Sequence, residues 1–212
     1  MNQFGAGGLV NSQPDVYLPR TEGPDYRFKT AGILSDENGD ALNIDANTRS
    51  LITVDYAHHE MHEGSHYFIK TWVEITGATG SLVEFIFITP DVTKQIHAKV
   101  ELIADADSTF TIYEGATVSS NGSAVTAINC YRDSTNTALL QPYANPTVTS
   151  TGSAIWTARN GGGRTAVGVG LGSNFEIIAK RNSIYLFRLI KNTTADTIID
   201  IDFFWYEHEP KW

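Results

Sequence analysis

From about residue 49 onward, apolar and β-branched runs recur at intervals of about 8–14 residues, with turn formers between them. His66–Thr76 is rich in Tyr, Phe, Ile, Trp and Val. Leu82–Thr89 is almost wholly apolar and stops at Pro90. Gln95–Ala104 alternates: Ile96, Ala98, Val100 and Leu102 oppose His97, Lys99 and Glu101, the two-residue period of a strand with one buried face. Arg49–Tyr56 alternates moderately, and Thr109–Glu114, Ala124–Arg132, Phe175–Ala179, Ser183–Lys191 and Thr197–His208 follow as further strands. Gly77-Ala78-Thr79-Gly80, Asn121-Gly122-Ser123 and Lys191-Asn192-Thr193 mark turns. No long window keeps a 3.6-residue period, so little helix is expected. Ser134–Asn145, Ala144–Thr149 and the glycine-rich Asn160–Asn174 read as loops. Regular short strands with turns predict an all-β chain, an antiparallel β-sandwich or jelly roll.

Residues 1–48 break the pattern. Gly5, Gly7, Gly8, Pro14, Pro19, Gly23 and Pro24 interrupt short apolar pieces. Glycine and proline at this density oppose both helix and central strand. The segment reads as an extended N-terminal arm ahead of a domain spanning 49–212. Phe4, Leu9, Val16, Tyr17 and Leu18 are its candidate partner-binding anchors, because a merely solvating tail would carry fewer large apolar groups.

Charge narrows the function. The formal net charge is −9, which tells against a nucleic-acid or anionic-membrane binder. The single cysteine, Cys130, excludes an intramolecular disulfide and a Cys-pair zinc site. The opening residues show no basic and apolar leader, so no secretory signal is expected.

Four of six histidines fall in His58-His-Glu-Met-His-Glu-Gly-Ser-His66. His62, Glu63 and His66 match the zinc-protease pattern, but Gly64-Ser65 disfavours the helix that pattern requires, and a strand follows. His58, His62 and His66 on a strand would share a face and could hold a metal; the preferred reading is a strand, a turn at Glu63-Gly64 and a second strand, with no metal. Gly168-Val-Gly-Leu-Gly-Ser lacks the spacing of a nucleotide loop. Cys130 reads as a buried inert thiol rather than the partner of His97, and Glu114 and Glu207 as strand-end turn residues rather than a glycosidase pair. Trp72, Trp156, Trp205 and Trp212 could stack on sugars, although Trp72 and Trp205 fall in core strands. No catalytic residue and no cofactor is expected.

Four motifs then fall into order: His58-His-Glu-Met-His-Glu-Gly-Ser-His-Tyr-Phe68, Phe110-Thr-Ile-Tyr-Glu-Gly115, Asn129-Cys-Tyr-Arg-Asp-Ser134 and Trp205-Tyr-Glu-His208. Together they resemble a family of tailed-bacteriophage capsid decoration (cement) proteins. Met61, Cys130 and Asp133 depart from that family's pattern. The resemblance implies a β-sandwich or jelly roll, a homotrimer, and the major capsid protein of the phage head as partner. It implies a place on the outer surface of the virion after assembly in the host cytoplasm. A receptor- or carbohydrate-binding module of a tail or fibre is the alternative.

Overall fold

In a computed structural model, the structure describes residues 56–160, 169–170 and 176–210. The arm and its anchors Phe4, Leu9, Val16, Tyr17 and Leu18 lie outside the described residues.

One helix, α1 (Tyr56–His62), precedes the strands β1 (His66–Ile75), β2 (Leu82–Ile88), β3 (Gln95–Ala104) and β4 (Ser108–Glu114). After a long insertion come β10 (Ser153–Asn160), β11 (Val169–Gly170), β12 (Ile177–Ala179), β13 (Ile184–Lys191) and β14 (Thr197–His208). The insertion contains β5 (Thr117–Ser120), β6 (Ser123–Ala124), β7 (Ile128–Asn129), β8 (Gln141–Ala144) and β9 (Thr147–Ser150).

The pairing is nested. β1 pairs with β14, β2 with β13, β3 with β11 and β12, and β4 with β10, all antiparallel. A long hairpin is thus folded over itself, and β14 also pairs with β3 and β13 with β4. Sheet one runs β11/β12–β3–β14–β1–β7, and sheet two runs β10–β4–β13–β2–β8–β6. This connectivity is that of a jelly roll. The predicted all-β sandwich is therefore what the chain forms.

The alternation in the sequence sorts the faces. Odd positions of β14 (Ile199, Ile201, Phe203, Trp205) and Ile96, Val100, Leu102 and Ala104 of β3 point inward and are buried. Phe203 meets Phe87 at 4.6 Å and Phe187 at 4.9 Å between ring centroids, so aromatic rings join the two sheets. Each such ring removed from water stabilises the fold by about 1.5–3 kcal/mol.

Several sequence expectations are corrected. Tyr56–His62 is a helix, not the end of a strand. It lasts two turns and stops in a Schellman cap: Gly64 adopts φ +70°, the Ser65 amide donates to the Glu60 carbonyl (2.9 Å) and the Gly64 amide to that of Met61 (3.1 Å). Within the stretches read as loops lie β8 and β9, and β5 and β10 carried no recognised strand signal. Ala124–Arg132 holds only the short β7 and the end of β6.

The insertion has a physical role. β7 extends sheet one beyond β1, while β8 and β6 extend sheet two beyond β2. It so covers the open edges that would otherwise present unpaired backbone groups. Its β5–β9 ribbon packs Val118 and Val148 on the outer face of sheet two, over Ile86 and Leu186, which are fully buried.

Candidate functional site

Three of the four sequence motifs meet at one corner of the sandwich. The helix end at Gly64, the turn after β7 and the end of β14 are tied together by side chains. Asn129 donates from Nδ2 to the Gly64 carbonyl at 2.8 Å, Tyr67 adds its hydroxyl at 3.3 Å, and the Cys130 amide donates to the His66 carbonyl at 2.8 Å. A Cβ at Gly64 would lie 2.3 Å from Ser134 Oγ, so the turn 131–134 closes directly on the glycine.

Glu207 anchors the inner side of this corner. It is 2% exposed, and its carboxylate accepts the Leu139 amide (2.9 and 3.0 Å), the Leu140 amide (3.0 Å) and Trp205 Nε1 (3.1 Å). Burial, with the Glu207 charge nearby, pushes the Tyr67 hydroxyl up to about 12. Glu114 accepts the Tyr185 hydroxyl at 2.7 Å. Both glutamates thus hold strand ends, as the strand-end reading expected.

On the outer side of the same corner is a polar cluster. Tyr206 lies opposite His66 on β1 and opposite His97 on β3. Glu176 Oε1 accepts the Tyr206 hydroxyl (2.6 Å) and pairs with His97 Nδ1 (2.6 Å), and Lys99 Nζ reaches Oε2 at 3.2 Å. Burial raises the Glu176 carboxyl, but these three partners outweigh it and hold the group below its usual range. His97 Nε2 lies 2.9 Å from His208 Nε2. Burial lowers His66 below the ordinary histidine value.

The histidine run is dispersed by the fold. His58 and His62 share one side of α1, Nε2 to Nε2 at 2.9 Å, while His66 opens β1 on the outer face of sheet one. His59, Glu60 and Glu63 bring three ligand atoms near one another, with Glu63 exposed. Cys130 is half-buried, and burial raises its thiol. Val169-Gly170 pair with Leu102 and Glu101 as a strand, and the rest of Gly168–Ser173 lies outside the described residues.

The tryptophans separate by face. Trp205 is buried in the core and Trp156 packs edge-on against Phe110. Trp212 lies outside the described residues. Trp72 sits in a core strand as expected, but its indole points outward and is 63% exposed. It faces Asp200, which faces Ile103 on β3, while Ile198 is the next outward residue of β14. Ile103 is 56% and Ile198 43% exposed. Ile128, opposite Phe68, and Ile178, opposite His97, add apolar side chains to the same sheet face. Neither periodicity nor composition pointed to this face; the signal was there in Ile103, Trp72 and Ile198 at the polar phase of their strands.

An open groove of about 330 Å³ lies beside β7 and β8, lined by Tyr67, Val125, Asn136, Leu140 and Tyr143 among others. Among the described residues, no carboxylate, histidine or lysine lines it. No helix among the described residues is long and apolar enough to cross a membrane.

No protein-family model matches the chain, and no curated protein matches it. Among solved structures, a chain from the cryo-EM structure of mud crab dicistrovirus is similar over 95% of this chain and 92% of that chain, at 13% identity and a TM-score of 0.24. A likeness that weak carries no argument about this chain.

Proposed function

We propose that this chain is a virion structural protein, a decoration protein that binds the outer surface of a tailed-phage head as a homotrimer. The observation that carries the reading is the group of exposed apolar side chains on the outer face of sheet one, Trp72, Ile103 and Ile198, set around Asp200. Monomeric proteins seldom leave such groups together, and patches of this kind mark protein–protein contact. The opposite sheet has its apolar centre covered by its own ribbon, so the bare face is not a general property of this sandwich. The jelly-roll connectivity and the four motifs in order agree with the reading, although a fold alone does not define a function.

The expected mechanism is mechanical. Trimers sit over the lattice, the face of sheet one rests on major capsid protein, and the arms reach neighbouring subunits. Avidity then lets modest single contacts hold the shell against its packaged genome. The test is light scattering of the purified chain, followed by co-sedimentation with undecorated heads. A trimer that saturates heads supports the proposal, with occupancy falling when residues 1–25 are removed. A monomer that leaves heads bare overturns it.

Trp72 also favours a second reading. An exposed indole on a flat sheet is a stacking platform for a sugar ring. Glycan-array binding lost in Trp72→Ala, together with no binding to heads, would place the chain in a tail or fibre instead.

A further inference from the structure

We infer that the outer face of sheet one takes a cationic protein partner, with an arginine side chain of that partner seated on Trp72 and Asp200; this rests on the reading above only in that the face is a contact surface.

The strand register places the groups. Trp72 of β1, Asp200 of β14 and Ile103 of β3 form one row across the sheet. In the row on one side Glu74 faces Ile198, and in the row on the other Lys70, Asp202 and Glu101 stand in line. Residues opposite each other on one face lie about 4.5–5.5 Å apart at Cβ. The exposed Asp200 carboxylate is thus within side-chain reach of an indole that water also reaches.

Charge decides the occupant. Glu74, Asp200, Asp202 and Glu101 share these rows with Lys70 as the cation. Lys70 donates to Asp202 Oδ2 at 2.9 Å. That hydrogen bond and the Asp202 charge, and then the charges of Asp200 and Glu101, raise its ammonium above the ordinary lysine value. Lys70 therefore serves several acids at once. Asp202 stands directly opposite Glu101, a like-charge pairing that disfavours the sheet. A cation brought by a partner relieves that repulsion. An anionic surface is repelled, and a second copy of this chain, at a formal net charge of −9, brings acid to acid. A purely apolar partner strips water from Asp200 and gives it nothing in exchange.

Arginine suits the place better than lysine. Its guanidinium is planar and weakly hydrated, stacks on aromatic faces and offers a fork of N–H donors to a carboxylate. Laid on the Trp72 indole, it gains the attraction of a cation for the ring and turns its donors toward Asp200. Ile103, beyond Asp200 in the same row, and Ile198, beside it on β14, are left for apolar groups around that arginine.

Two measurements on the full chain test this. In the first, the nitrogen-15 labelled chain is titrated with a short blocked peptide of alternating leucine and arginine, and with the same peptide carrying lysine or glutamate for arginine. The Trp72 indole N–H signal should move with the arginine peptide, more weakly with lysine and not with glutamate. Asp200→Asn keeps the size of the side chain and removes its charge, and should weaken arginine-peptide binding about tenfold. Circular dichroism checks that this variant folds. In the second, undecorated phage heads are the probe, and their occupancy should fall both in Asp200→Asn and as salt is raised. Heads left bare while the arginine peptide still moves Trp72 would remove the phage-head reading and keep this inference. Heads saturated alike by the parent and by Asp200→Asn at every salt concentration would keep that reading and overturn this inference. An arginine peptide that leaves the Trp72 signal unmoved, moves it no less in Asp200→Asn, or is outdone there by neutral oligosaccharides overturns it as well.

Discussion

Glu207 shows how single residues of the corner carry the fold. Three N–H donors from the insertion and from Trp205 end on one buried carboxylate. A buried donor left without its acceptor costs about 1–3 kcal/mol. In Glu207→Gln the amide presents a donor where the backbone already offers donors. We expect a loss of about 3 kcal/mol, read as a lower urea midpoint with an unchanged slope. This role was half legible in the sequence. A glutamate closing a strand reads as a turn holder, but nothing in Trp205-Tyr-Glu-His208 announces that its partners lie near residue 140. The histidines make the same point more sharply. Their local crowding at 58–66 drew attention, whereas the β3–β14 pairing brings His97 within 2.9 Å of His208. Spacing along a chain reports neighbours on one element, and strand pairing across a jelly roll brings together residues that share no local pattern.

At the scale of elements, the far end of the sandwich is pinned by one ionic clasp. Asp107, in the turn between β3 and β4, receives Arg159 of β10 through Nε at 3.0 Å and Nη2 at 2.7 Å. Asn192, in the turn before β14, adds Nδ2 at 3.1 Å. The hydrogen bonds from Arg159 and then Asn192 hold the Asp107 carboxyl down at about 2, below its ordinary 3.8. The folded value lies below the unfolded one, so the clasp stabilises fully above about pH 4. That contribution disappears as pH falls through the folded value. Thermal midpoints between pH 5 and pH 2 should fall less steeply in Asp107→Asn than in the parent chain. High salt should shrink the difference, because the pair lies at the surface, with Arg159 exposed and Asp107 partly so, and is screened. The elements that this clasp joins were not equally readable. β3, β13 and β14 carry strong alternating or apolar signals because both sheets bury them. β10 is an edge strand of Ser, Ala, Thr, Arg and Asn around Ile155 and Trp156, and only its pairing with β4 makes it a strand. α1 was missed for the converse reason: a two-turn helix is too short to show a period, and its cap and the packing of Glu60 hold it.

At the scale of the molecule, the two sheets treat their outer faces in opposite ways, and that difference can be tested directly. On sheet two, Ile86 points away from the sandwich core but is fully buried, because Val118 and Val148 of the ribbon lie over it. On sheet one, Trp72 points away from the core and stays 63% exposed. If the ribbon belongs to the folding unit, Ile86→Ala should cost about 2–5 kcal/mol, the range for a large side chain deleted from a packed site. If the face of sheet one is reserved for another protein, Trp72→Asp should leave stability within about 0.5 kcal/mol, as surface changes do. It should nonetheless weaken binding to heads, because it removes the largest exposed apolar side chain of the patch and sets a second carboxylate beside Asp200. Indole fluorescence gives an independent reading. Trp72 emission should shift to the blue when heads are added, while buried Trp205 does not change. A chain in which Trp72→Asp unfolds, or in which it binds heads as the parent does, would mean that the bare face serves the fold alone. The contact with the shell would then have to lie elsewhere on the molecule.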